Sequence, residues 1–269
     1  MVIVGGIVWY WVIRPQARPG AGAGADVVSH RLPLHAEPNP AAPHGFDFSI
    51  DVLNELCSDP KNTVFLVSGQ GKEELARWFA PCERLGICAE HGYFTSRDSP
   101  WESPNLMVDF DWKNIVESIM KHYSEVTGGS YIEAKETSLA WHYEDADPDF
   151  GSCQSRELQD HLLNLLAQEP VSVIRGHEIV EVIPQEVGKG TAVRGLLAAM
   201  GARGSMPDFV LCVGDDEDMF EAITAPSSMY ASPLSVETFT CTIGIKRSLA
   251  KYYLEEPTDV LTVLRGMTV

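Results

Sequence analysis

Residues 207–220 read Pro207-Asp208-Phe209-Val210-Leu211-Cys212-Val213-Gly214-Asp215-Asp216-Glu217-Asp218-Met219-Phe220. An apolar run of strand length meets a glycine and then four consecutive acids. That order puts the acids where a buried parallel strand would emerge and turn into a helix. In open α/β sheets, ligands bind in the crevice outside the carboxyl ends of the strands. Two readings of the acids stand. Like charges this close repel, so the cluster asks for a cation, and all-oxygen ligands suit a hard one such as Mg²⁺. Alternatively, they are a solvated helix N-terminus, which the helix dipole favours.

The same grammar extends outward. Gly188–Met200, Glu217–Ile223 and Thr258–Leu264 read as helices, and Phe209–Val213 and Thr238–Ile243 as strands. Upstream, Val52, Leu53 and Leu56 follow helical spacing from Asp51. Thr63–Val67 is a continuous β-branched and aromatic run, a buried strand ended by Ser68-Gly69-Gln70-Gly71. Lys72–Phe79 reads as a helix and Gly86–Glu90 as a short strand. Helix and strand alternate, as a parallel sheet requires. Between the two halves the pattern changes. Trp112–Val126 and Glu157–Gln168 are amphipathic helices, and Ser130–Ala134, Ser138–Tyr143, Val171–Ile174 and Glu178–Ile183 are paired strands. The expectation is an α/β core over 46–107 and 184–269, with an α+β subdomain inserted over 108–183.

Composition narrows the partners. The chain has 269 residues, 45% of them hydrophobic, enough for a large core plus an insertion. Lys and Arg number 20 against 38 Asp and Glu, a net charge of −18, which disfavours nucleic acid and anionic membrane as partners. The six cysteines, Cys57, Cys82, Cys88, Cys153, Cys212 and Cys241, form no C-x-x-C, and reduced thiols of a cytoplasmic protein fit them best. Met1–Ile13 is apolar but short of a bilayer span, and matches a signal peptide only weakly. Arg14–His44, rich in Pro, Gly and Ala, reads as linker, so residues 1–45 are expected to be disordered.

Two further features fall beside core strands or core helix starts. Ser68-Gly69 lies between a strand and a helix, where a hydroxyl and free N–H groups can hold a phosphate; an ordinary N-cap serine reads the same way. Lys189, between Gly188 and Gly190 near a helix start, can neutralise a phosphoryl group or lie solvated on the surface.

In chain order, a hydroxyl after a strand, an inserted subdomain, a lysine at a helix start and acids after a strand resemble the haloacid-dehalogenase-like phosphatases. The segments VFLVSGQGKEELARWFAP, GSYIEAKETSLAWHYEDADPDFGS, VIRGHEIVEVIPQEVGKG and VGDDEDMF go further. They resemble trehalose-6-phosphate phosphatase over roughly residues 50–267, most nearly the phosphatase-like C-terminal domain of plant class II trehalose-phosphate synthases. The resemblance implies a Rossmannoid parallel sheet with an inserted α+β cap, and trehalose-6-phosphate as substrate. It implies that Ser68 and Gly69 hold the phosphoryl group, that Lys189 stabilises its charge, and that Asp215 and Asp216 hold Mg²⁺. Glu133 and Lys135 would bind sugar hydroxyls, and Glu90, His91 and Gly92 would line the site. The other readings are the exposed face of a strand pair for Glu133 and Lys135 and a satisfied loop histidine for His91. A trehalose-phosphate synthase domain or subunit is the implied protein partner.

The chain also departs from that family. The nucleophile segment, Asp-x-Asp-Gly-Thr, is absent from residues 1–51, and the first core strand that would carry it is missing unless Met1–Ile13 supplies a substitute. Asp109-Phe110-Asp111 has the spacing but not the place. The acid loop is three residues shorter than the family's, which turns the following helix by about 60° or tightens the loop; Asp218 is the candidate for the later ligand position. Gln70 and Glu144 stand where active members carry arginine. Three accounts follow: a working phosphatase, a phosphosugar-binding or regulatory module without turnover, and a truncated gene product. A sheet short of a central strand is expected to be poorly soluble.

Overall fold

The computed structural model describes residues 9–15, 50–97, 101–103, 109–204, 207–224 and 236–268. In the first half of the chain the elements are β1 (Trp9–Pro15), α1 (Ile50–Ser58), β2 (Thr63–Val67), α2 (Lys72–Trp78), β3 (Gly86–Ala89), a 3₁₀ turn (Glu90–Gly92), β4 (Phe94–Ser96) and α3 (Trp112–Val126). Then come β5 (Tyr131–Ala134), β6 (Leu139–His142), α4 (Pro148–Leu165), β7 (Val171–Arg175), β8 (Ile179–Pro184), α5 (Lys189–Ala202) and β9 (Pro207–Gly214). The last are α6 (Glu217–Thr224), β10 (Glu237–Ile243), β11 (Tyr252–Leu254) and α7 (Pro257–Gly266). They divide into two compact units. The described part of the first is drawn from Val67–Ala76 and Ile87–Ala192, and that of the second from Trp9–Leu66, Arg77–Gly86 and Val193–Val269.

The second unit is an α/β layer with strand order β11-β10-β9-β1-β2. β9, β10 and β11 run parallel, with Cys212 opposite Thr240 and Cys241 opposite Tyr252. Every residue of β2 is buried, and so are Val210, Leu211, Cys212 and Val213 of β9, as expected for strands covered on both faces. α1 buries Val52, Leu53 and Leu56 and packs on α7, which buries Val260, Leu261 and Leu264.

Residues 9–15 fall in the segment expected to be disordered, yet they form β1, paired antiparallel to β9 with Tyr10 opposite Val213 and Ile13 opposite Val210. The physical reason is local. An aromatic and β-branched run, Trp9-Tyr10-Trp11-Val12-Ile13, suits a pleated surface, and β9 would otherwise present an unpaired ladder of backbone groups. The rest of 1–45 lies outside the described residues. The substitute strand therefore exists, but it runs in the opposite direction to β9.

The first unit holds an antiparallel sheet in the order β5-β6-β8-β7. One face packs on α3 and α4 through Trp112, Val116, Met120, Leu158 and Leu162 against Leu139, Trp141, Val180 and Val182. α4 starts at Pro148 rather than near Glu157: Asp147 caps it by accepting the Phe150 N–H at 2.9 Å, and Pro148 suits the first turn, where a missing N–H is harmless. Alternation along the strands turns Glu133, Ala140, His142 and Glu181 to the other face of the sheet.

Candidate functional site

The site grows from two loops of the first unit. The Ser68 N–H donates to the Cys88 carbonyl at 2.9 Å, the His91 N–H to the Ser68 carbonyl at 2.8 Å, and the Glu90 N–H to the Gln70 carbonyl at 2.9 Å. Ser68 is buried, and its hydroxyl accepts the Gln70 N–H at 3.1 Å, which leaves its own proton available for donation. Gly69 has a steric reason: a Cβ there would lie 2.7 Å from the His91 ring. Gly92 has another. It adopts φ +94°, and its added Cβ would run into the Ala192 side chain, so the loop rests against the first turn of α5. Lys189 is the first residue of that helix and is half-buried. Ser68, Gly69, His91, Gly92 and the start of α5 thus form one neighbourhood.

His91 links it to the sheet. Its Nε2 donates to Glu181 Oε2 at 2.9 Å. Glu181 is fully enclosed and accepts two more bonds on Oε1, from Lys135 Nζ at 3.0 Å and Ser138 Oγ at 2.8 Å. The Lys135 ammonium also lies 3.6 Å from Glu133 Oε2, which accepts from His142 Nε2 at 2.9 Å. Register explains the convergence: Glu133, Ala140 and Glu181 lie opposite one another on three neighbouring strands, and the small Ala140 leaves space between the two acids. Burial alone would raise the Glu181 carboxyl, but the charges of His91 and Lys135 outweigh it and hold it well below the usual carboxylate range. Burial would likewise lower the Lys135 ammonium, and Glu181 and Glu133 reverse that, so it stays charged above its ordinary value. Glu133, at 30% exposure, is the open end of the row. Tyr131 stacks flat on His142 with ring centroids 4.7 Å apart, and its hydroxyl donates to Glu144.

A row of carboxylate, ammonium and carboxylate beside an aromatic face suits a polyhydroxylated ligand, whose hydroxyls both donate and accept. The structure therefore brings together eight of the residues singled out from the sequence, namely Ser68, Gly69, Glu90, His91, Gly92, Glu133, Lys135 and Lys189, in one unit. It adds Glu181, Ser138 and His142, which sequence reasoning missed. A signal for Glu181 was present: in Ile179-Val180-Glu181-Val182-Ile183 a lone acid alternates with buried valines.

Asp215 and Asp216 belong to the second unit, at the carboxyl end of β9. Lys246 Nζ lies 3.6 Å from Asp215, and Glu217, at the start of α6, accepts the Leu249 N–H at 2.7 Å. Asp218 sits exposed in the first turn of α6. Two carboxylates meet the minimum Mg²⁺ asks of a protein. Here, however, an ammonium already stands beside one of them, and among the described residues no group of three or more His, Cys, Asp or Glu is arranged to hold a metal ion. The described residues offer a cation these two carboxylates and no third ligand beside them. The neighbouring strand offers no help, because residues 1–15 contain neither Asp nor Glu. Among the described residues, no helix is long and apolar enough to cross a membrane.

The chain as a whole is similar to known proteins. The chain is 55% identical over 223 residues to a probable α,α-trehalose-phosphate synthase (UDP-forming) 10 of Arabidopsis thaliana, covering 81% of this chain and 26% of that protein. It therefore spans about a quarter of that relative's length. Among solved structures, the trehalose-6-phosphate phosphatase C-terminal domain of Candida albicans superposes with a TM-score of 0.77 at 33% identity, covering 87% of each chain. The trehalose-6-phosphate phosphatase of Aspergillus fumigatus gives a TM-score of 0.57 at 34% identity, covering 88% of each. The trehalose-phosphatase family profile matches residues 36–258, and with a haloacid-dehalogenase-like fold and these relatives the chain belongs to the trehalose-phosphatase family.

Proposed function

We propose that this chain binds trehalose-6-phosphate through its first unit and turns it over poorly. The observation that carries this reading is the unbroken polar row from the Ser68 loop through His91 to Glu181, Lys135 and Glu133. The phosphoryl group would sit at the Ser68–Gly69 loop, where the serine hydroxyl donates to it, and Lys189 would supply a neutralising ammonium. Glu133, the open end of the row, would accept a hydrogen bond from a sugar hydroxyl while Lys135, oriented by the enclosed Glu181, donates to a hydroxyl oxygen. Residues 108–183 would act as the cap, and 46–107 with 184–269 as the phosphatase-like core.

Impaired turnover follows from what stands beside β9. Covalent phosphoryl transfer needs a carboxylate there, and losing one member of such a unit costs orders of magnitude in rate. The strand in that place is β1, with Tyr10 opposite Val213. A cytoplasmic chain acting beside a trehalose-phosphate synthase domain is the setting we favour.

Calorimetry with trehalose-6-phosphate, alongside a phosphate-release assay, tests both halves. Saturable binding with turnover below about 0.01 s⁻¹ is expected, well under the usual enzyme range of ~1–1000 s⁻¹. Turnover inside that range would refute impairment, and absence of binding would refute the ligand.

A further inference from the structure

Glu90 and His91 are consecutive residues with left-handed backbones, at φ 46° and 59°, a conformation that non-glycine residues adopt rarely. Such strain persists where surrounding contacts over-determine it. Here the contacts are two backbone bonds to the Ser68 loop, from the Glu90 N–H to Gln70 and from the His91 N–H to Ser68, and the two side chains, which leave the turn for different parts of the sheet. The Glu90 carboxylate is almost completely buried. It accepts the Thr137 N–H at 2.7 Å, the Thr137 hydroxyl at 2.6 Å and the Glu136 N–H at 3.3 Å, all in the turn joining β5 to β6. That turn carries Lys135 on its near side. Lys113 holds it as well, its ammonium donating to the Lys135 carbonyl at 2.6 Å and the Glu136 carbonyl at 3.2 Å, and Lys72 pairs with Glu136. The His91 ring lies over Gly69 and reaches Glu181 on β8.

We propose that Glu90–His91 is a positioning element that couples the Ser68–Gly71 loop to the sugar-facing sheet, with His91 setting the Glu181 carboxylate. The proposal rests on the functional reading above and deepens it. A ligand carrying both a phosphate and a neutral sugar engages both ends of the coupler, so each half, once bound, raises the affinity for the other. Neither residue needs to touch the ligand. The loop cannot shift without moving the His91 ring, and the ring cannot move without releasing one of the three bonds on a buried carboxylate.

The test begins without ligand. Amide hydrogen exchange at Gln70, whose N–H bonds the Ser68 hydroxyl, is followed in the full chain and in Glu181→Gln, His91→Ala, His91→Gln and Asp147→Ala variants. Glu181→Gln and His91→Ala should speed that exchange about fivefold or more. His91→Gln, whose amide can still donate to Glu181, should restore it. Asp147→Ala removes a helix cap away from His91, controls for general loosening, and should leave it unchanged. Unaltered exchange at Gln70 in Glu181→Gln would overturn the proposal, as would acceleration in Asp147→Ala equal to that in His91→Ala. In the second arm, saturating inorganic phosphate should raise trehalose affinity about fivefold in the parent chain and not in His91→Ala. Equal trehalose affinity with and without phosphate in the parent would also overturn it. A chain that binds no trehalose-6-phosphate would sink the functional reading alone, because the exchange measurement decides the coupling without a ligand.

Discussion

Lys135→Met isolates the energetics of the buried row. Lys135 gives Glu181 one of its three bonds, at 3.0 Å, and partly offsets Glu133 at 3.6 Å. Methionine keeps most of the stem, so no large cavity opens. Glu181 retains His91 at 2.9 Å and Ser138 at 2.8 Å, which keeps the cost below the ~3–5 kcal/mol of a fully orphaned buried ion. What is lost is one charged hydrogen bond, about 1.5–3 kcal/mol, and the carboxylates of Glu181 and Glu133 then face each other without an intervening cation. The expected destabilisation is therefore about 2–3 kcal/mol at neutral pH. Urea unfolding followed by tryptophan fluorescence reads it, since Trp112 and Trp141 lie in the adjoining core, and the slope of the transition should not change. Glu181→Gln made on the Lys135→Met background should recover part of the loss, because it removes the charge left uncompensated. A loss under about 0.5 kcal/mol, the range of an exposed pair, would refute the description of this row as a buried network.

Stability should also fall at both ends of the pH scale. The Glu181 carboxyl lies below its unfolded value near 4.3, so its contribution is complete above about pH 5 and fades as pH drops through the folded value. Lys135 lies above its unfolded value near 10.4, so its contribution holds below that and fades as pH rises past the folded value; a flat melting temperature from pH 3 to 7 would contradict the first half. Gly92→Ala should destabilise by about 2 kcal/mol or more, since it combines φ +94° with a collision at Ala192, and a neutral result in a thermal melt would refute the packing of that loop on α5. Cys153 is the exposed thiol, while Cys82 and Cys88 are buried with pKa values pushed up to about 12, so a maleimide should label one site rapidly; fast labelling of several would count against these burials. EDTA should leave trehalose-6-phosphate affinity unchanged, and a marked loss would show that Asp215 and Asp216 recruit a metal despite Lys246.

Much of this molecule was legible in its residues, for identifiable reasons. The limits of β2 and α3 follow the sequence to the residue, because a continuous β-branched run and a strongly amphipathic helix leave little choice. α4 begins well before the Glu157 that apolar periodicity marks, because Gly151 and the polar residues around it hide its first two turns, although Asp147-Pro148 announces the start. β4 and β11 are three residues each, too short for periodicity to register. Glu133 and Lys135 could be named from the family resemblance, but their tie to Glu181 depends on which residues oppose one another across three strands. Register of that kind is set by tertiary packing as well as by local pattern. The left-handed pair at Glu90–His91 was invisible for a similar reason, since nothing in a Glu-His dipeptide demands φ above zero.

The pairing of β1 with β9 joins Tyr10 to Val213, about two hundred residues apart, and that separation sets the order of events during synthesis. At ~5–20 residues per second, β1 leaves the ribosome roughly 10–40 s before its ladder partner β9 exists. Through that interval the run Trp9–Ile13 is made of the residues most prone to add to any open edge, its own or a neighbour's. The yield of folded chain should therefore depend on what shields those few residues until β9 emerges, more than on the stability of the finished sheet.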